Sequence, residues 1–146
     1  MREIKYRAIK NHTKEWVYGS LITTADGKKY VVESDYFEED GHHLKCASDI
    51  PCFIVQGTEG QYTGLKDKNG VEIYEGDAIS FGDITMCPRV KIKAVIVFDE
   101  SRSALMPQEI NKNHRGGYYF VHWNMVEDVE VIGNIHENPE LLESEG

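Results

Sequence analysis

The chain predicts a mainly β protein. Three features carry that expectation. Apolar and polar residues alternate along several segments, Gly-centred turns separate those segments, and no long segment repeats at the helical period. The expected architecture is an SH3-like small barrel of about five strands in the C-terminal half. β-Hairpins of the N-terminal half pack on it, and a short helix ends the chain. At 146 residues the default is a single domain, 1–146, with β subdomains near 1–72 and 73–146.

The first element is Ile4, Tyr6 and Ala8 alternating with Lys5 and Arg7, a half-buried strand with a basic outer face. Trp16 to Ile22 is rich in aromatic and branched residues and predicts a second strand. Asp26-Gly27 separates Thr23-Thr24 from Tyr30-Val31-Val32, which is a hairpin signal. Residues 34–43 break the pattern. Ser34 can cap a helical turn over Asp35 to Glu39 that Gly41 ends, and an acidic loop fits equally well. Pro51 opens a short buried strand, Cys52 to Val55, which Gly57 and Gly60 close.

The second half begins with Ala78-Ile79-Ser80-Phe81, in which Ile79 and Phe81 point one way. Val90, Ile92, Ala94, Ile96 and Phe98 alternate with Arg89, Lys91 and Lys93 in a long strand with one apolar face and a basic start on the other. Val95 and Val97 make its far end apolar on both faces. Ser101 to His114 is a polar connection, and Tyr118 to Trp123 an aromatic strand. Val129, Val131 and Ile135 line one face of the last strand, with Gly133 marking a bulge or a close backbone approach. Asn138-Pro139-Glu140 starts the terminal helix, anchored by Leu141-Leu142.

One stretch, Gln61 to Asp77, stands out. Asn69-Gly70 lies between Thr63-Gly64-Leu65 and Val71 to Tyr74. Both residues tolerate φ > 0, which a type I′ hairpin turn needs at its two central positions. Asp67 can accept from its own backbone two residues on. A second tight turn, Glu75-Gly76-Asp77, leads into the next strand. The expected roles of Gln61, Tyr62, Thr63, Gly64, Asp67, Asn69, Gly70, Glu75, Gly76 and Asp77 are mainly structural, with Gly64, Gly70 and Gly76 at special backbone angles. The hairpin is expected to fix the register between the two halves.

Gln61 to Leu65, Asp67 to Gly70 and Ile73 to Asp77 closely resemble the signature of the YopX family of phage- and prophage-encoded proteins. The opening Arg2 to Ala8 and the ending Glu130 to Leu142 resemble it as well, so the likeness spans the chain. It implies a β-rich fold, a bacterial host and no assigned biochemical activity. Glu59 stands where the family usually carries an apolar residue.

Composition narrows the function classes. Hydrophobic residues are 40 % of the chain, and no apolar run approaches the roughly 18 residues of a membrane span. No apolar signal region follows Met1, so a cytoplasmic protein without membrane partners is expected. Three cysteines, Cys46, Cys52 and Cys87, without CxxC spacing imply no disulfide framework and suit a reducing compartment. Net charge is −9, with acids clustered at Glu33, Asp35, Glu38, Glu39 and Asp40 and again from Glu127 onward. Solvated faces explain such clusters, and so does imitation of nucleic acid toward a basic partner.

Few residues offer chemistry. His42, His43, Cys46, Cys52 and Cys87 invite a zinc site, but His42-x₃-Cys46 is the one tight pair and Cys52 has the apolar neighbours of a core thiol. No metal or cofactor is expected. A Cys–His nucleophile would need a base among His114, His122 and His136, and no local signature names one. His122 alternates with Tyr118 and Phe120, as a partly buried strand histidine does. Glu75 and Asp77 are the best-placed carboxylate pair, and Gly-Asp at a strand start mostly serves turn geometry. There is no phosphate-binding glycine loop. Tyr118, Tyr119 and Trp123 beside Arg89, Lys91 and Lys93 could stack bases on a basic track, though the net charge opposes nucleic acid as a partner.

The expected function is a non-enzymatic phage accessory protein that binds a host or phage macromolecule. A nucleic-acid-related role and an enzyme using Glu75, Asp77 or a cysteine are the alternatives. An exposed strand edge is a template for pairing, so a homo-oligomer is expected.

Overall fold

The computed structural model describes residues 2–33, 52–84, 90–110 and 121–143. The protein is mainly β, with ten strands in antiparallel sheets among those residues. It forms two compact units, Met1–Tyr62 and Thr63–Gly146.

The first unit is built from β1 (Tyr6–Ile9), β2 (Trp16–Thr23), β3 (Lys29–Val32), β4 (Cys52–Phe53) and the start of β5 (Gly60–Lys66), in the order β4-β3-β2-β1-β5. Ala8, Val17, Val31 and Ile54 are buried together, with Leu21 against them. The Asp26-Gly27 hairpin forms. Gly27 takes φ +83° and donates its N–H to the Thr24 carbonyl, while the Thr24 N–H reaches the Lys28 carbonyl. Only Gly27 of that pair enters the left-handed region, so this is a type I turn closed by a glycine bulge.

Three details differ from the alternation pattern. Ile4 lies outside β1 and is exposed, because pairing with β2 begins at Tyr6. Arg7 is buried rather than on an outer basic face: its guanidinium stacks over the Trp16 ring, 4.3 Å from the centroid, and the flat cation is shielded there by aromatic surface. Phe53 is exposed and meets the edge of the Tyr30 ring, while Ile54 beside it is buried. The Glu59 carboxylate binds the Lys29 ammonium at 2.6 Å and accepts the Gly57 N–H at 2.8 Å. A charged residue is therefore accommodated where an apolar one would pack.

In the second unit the remainder of β5 pairs with β6 (Glu72–Tyr74). A four-stranded antiparallel sheet follows, formed by β7 (Asp77–Asp83), β8 (Lys91–Asp99), β9 (Ala104–Glu109) and β10 (Val126–Asn134) in the order β10-β7-β8-β9. Ile79 and Phe81 of β7 and Ile92, Ala94 and Ile96 of β8 form the core with Ile73, Leu105 and Val121. The alternation of β8 is as expected except at Phe98, which is exposed, as is Val90 just before the strand. β9 and β10 are the sheet's two edges, and no pairing among the described residues joins them into a closed barrel.

β9 lies where a polar connection was expected. Pro107 hides it in the sequence, since proline cannot donate to a ladder. The structure places Pro107 on an edge strand opposite Ile96, where its carbonyl accepts the Val121 N–H. Residues 111–120, with Tyr118, Tyr119 and His114, lie outside the described residues. Trp123 is in a 3-10 turn, Trp123–Met125, rather than a strand, and its indole N–H bonds the Leu105 carbonyl at 2.9 Å. His122, just before it, is exposed rather than half-buried. β10 is bulged at Gly133, and the chain ends in a 3-10 turn, Pro139–Leu142, with Pro139 in its first turn as expected.

Gly19 of β2 carries a close backbone approach in the first unit. A Cβ built there would collide with the Val32 carbonyl oxygen, a main-chain atom that cannot swing away. Gly19→Ala should therefore lower stability by about 1–3 kcal/mol, the range for overpacking. A urea midpoint unchanged from that of the parent would contradict this.

Candidate functional site

The Gln61–Asp77 stretch occupies β5, β6 and the two turns around them. Gln61 pairs with Tyr6, and Tyr62 is buried with the Lys5 ammonium 5.0 Å from its ring centre. The Thr63 hydroxyl donates to the Ile73 carbonyl and accepts the Leu65 N–H. Gly64, Gly70 and Gly76 all take left-handed φ, at +87°, +82° and +85°. Asn69 does not, so the turn is type I with a glycine bulge at Gly70 rather than type I′. The reason is steric: glycine alone enters that region without cost, and the bulged turn asks it of one residue only.

Asp67 organises this turn. Its Oδ1 accepts the N–H groups of Asn69 at 2.8 Å and Val71 at 2.9 Å, and its Oδ2 accepts the Val131 N–H of β10 at 3.0 Å. Burial alone would push the carboxyl up. The three backbone donors outweigh it and hold Asp67 below the usual carboxylate range. Beside it the Lys68 N–H reaches the Val129 carbonyl, and the Lys68 ammonium pairs with Glu130 at 2.8 Å, which raises the lysine. The first bond in this group, Asp67 to its own backbone, is legible in the sequence. The reach to β10 is not, because nothing local marks Val131.

The second turn is equally committed. The Gly76 N–H bonds the Ile96 carbonyl, and the Gly76 carbonyl accepts from Ile135. Asp77 is buried and its Oδ2 accepts the Tyr74 N–H at 2.8 Å. Glu75 is half-buried in the same turn. His42, His43, Cys46, Cys87 and Arg89 lie outside the described residues, and Cys52 lies in β4. Among the described residues, no three His, Cys, Asp or Glu side chains converge as metal ligands would.

One open feature among the described residues of the second unit is a groove of about 480 Å³ on the outer face of the four-stranded sheet. Its origin is simple. Ser80 and Gly82 are the outward residues of β7, and both are small. They are flanked by longer side chains on the neighbouring strands: Lys93 and Lys91 of β8 lie opposite Ser80 and Gly82 on one side, Glu130 and Glu127 of β10 on the other. The groove is lined by Lys68, Lys91, Val90, Glu127, Asp128 and Glu130 over this floor. At the bulge between Glu127 and Glu130, Asp128 takes φ +50° and is exposed. The β8 side is thus basic, and the β10 side carries three acids, of which Glu130 is paired with Lys68. The sequence gives the basic residues of β8. The facing acids follow only from the strand order.

A family model described as YopX protein matches residues 5–143. The crystal structure of protein EF1440 from Enterococcus faecalis is similar over 98 % of this chain and 100 % of that one, with 23 % identity and a TM-score of 0.45. Curated proteins yield no match.

Asp67 has a lowered folded-state pKa, so its contribution is fully present above the unfolded value, about 3.9, and is lost as pH falls through the folded one. Asp67→Asn leaves an amide facing at least one buried N–H. It should cost about 1–3 kcal/mol at pH 7 and flatten the stability loss below about pH 4. Urea unfolding across that range checks both, and a parent-like curve would contradict the assigned role.

Proposed function

This chain belongs to the YopX family, and from that premise we propose that it is a non-enzymatic accessory protein of phage or prophage origin. It binds a host or phage macromolecule in the cytoplasm of the bacterial host. One observation carries the reading. The polar groups of the motif whose bonds are given above are spent on backbone partners, while the charged groove beside them has no Cys or His in its lining.

Asp77 is buried behind its own turn and Glu75 lies outside the groove, which weighs against catalysis by that pair. The acidic wall facing Lys91 and Lys93 weighs against a phosphate backbone, whose affinity comes from neutralised charge. Among the described residues no helix is long and apolar enough to cross a membrane. A homo-oligomer is the proposed binding form, a strand edge being a template for pairing with a copy of itself.

Affinity capture from lysogenic or infected cells, at low and high salt, tests this. A specific, stoichiometric protein partner is the expected result. A basic partner lost at high salt would point instead to imitation of nucleic acid, and recovery of nucleic acid alone would overturn the reading.

A further inference from the structure

Asn69-Gly70 is the one Asn-Gly pair in the chain, and both residues are exposed. The pair carries chemistry that its turn role does not use. The Asn69 amide carbon is an electrophile, and the Gly70 nitrogen is a nucleophile next to it in the chain. Glycine has no Cβ to hinder the approach. When that nitrogen loses its proton and attacks, a bond from Gly70 N to Asn69 Cγ closes a succinimide ring. The Cγ–Nδ2 bond breaks, and Nδ2 takes up a proton and leaves as ammonia. Water then opens the ring at either carbonyl, which gives aspartate or isoaspartate.

The folded turn opposes each step. Asp67, Lys68, Asn69 and Gly70 form the type I turn, closed by the Gly70 N–H on the Asp67 carbonyl at 3.0 Å. Asn69 is its third residue, where ψ is about 0°. That angle keeps the Gly70 nitrogen turned away from the Asn69 Cβ, so ring closure requires ψ to rotate. Rotation breaks the Gly70 bond and displaces Val71, whose N–H is held by Asp67 Oδ1 at 2.9 Å. The Asn69 N–H, on the same oxygen at 2.8 Å, fixes the other end. Deprotonation is opposed as well, because the negative nitrogen would form beside the buried carboxylate that holds both neighbours of Gly70.

We propose that Asn69 is a deamidation site which Asp67 keeps dormant, so that the chain is modified there only when the turn opens. The change is one-way. Isoaspartate adds a methylene to the main chain of the turn, and either product adds a carboxylate two residues from that of Asp67. Both weaken the closed turn, so an opened chain stays marked. The proposal does not depend on the binding reading above.

Peptide mapping by mass spectrometry tests it, on the full chain and on a free peptide of residues 65–73, both aged in mildly alkaline buffer. The peptide should convert at Asn69, and the native chain at least about a hundredfold more slowly, since its turn opens only against its bonds. Asn138 supplies an internal reference, because the Pro139 nitrogen has no proton to lose. Asp67→Ala should bring the rate to within about tenfold of the peptide's while the β7 and β8 amides stay protected from exchange. Should that variant not fold, the parent in sub-denaturing urea decides. Its rate at Asn69 should rise in step with hydrogen exchange of the Asn69 amide. An inert peptide, native conversion as fast as the peptide's, a folded Asp67→Ala chain as slow as the parent, or a rate indifferent to urea would each overturn the proposal.

Discussion

The Asp67 carboxylate is the constraint on which the second unit depends. A buried charge is costly unless donors replace its water, and three backbone N–H groups do so. Two belong to the turn itself and shape it. The third belongs to Val131, 64 residues on, and ties that turn to the last strand. Such a bond closes a long loop, whose entropy must be offset by good geometry. The adjacent Lys68 N–H to Val129 bond and the Lys68–Glu130 ion pair reinforce the same joint.

This joint explains the irregularity of β10. Between Glu127 and Glu130 the strand slips its register with β7. The Val129 carbonyl then faces the turn and accepts from Lys68 instead of continuing the ladder. The bulge has a second effect, since it places Asp128 outward between two other acids on the groove's rim. Structure and surface chemistry thus share one cause. Gly76 supplies the other fixed point, with its N–H on Ile96 and its carbonyl on Ile135.

Much of the fold was legible where physics is local. Aromatic and branched residues marked β2, alternation marked β7 and most of β8, and Asp-Gly and Asn-Gly marked both bulged turns. The type of those turns was not, because Asn tolerates φ > 0 without requiring it. Arg7 read as an outer residue by period, yet stacking on Trp16 buries it. β9 was concealed by Pro107, whose tolerance depends on edge position, a property of the whole sheet. The groove needed strand order as well. Lys91 and Lys93 are visible in the chain, but their facing acids come from a strand far along it.

Amide hydrogen exchange tests the role of Asp67 most directly. Turn amides ordinarily open with little free energy, whereas amides held by a joint that requires the whole unit exchange only when it unfolds. The Asn69, Val71 and Val131 N–H groups should therefore exchange together, at the free energy of the slowest core amides of β7 and β8. Fast exchange of Asn69 and Val71, with Val131 slow beside them, would show a local turn and contradict the account.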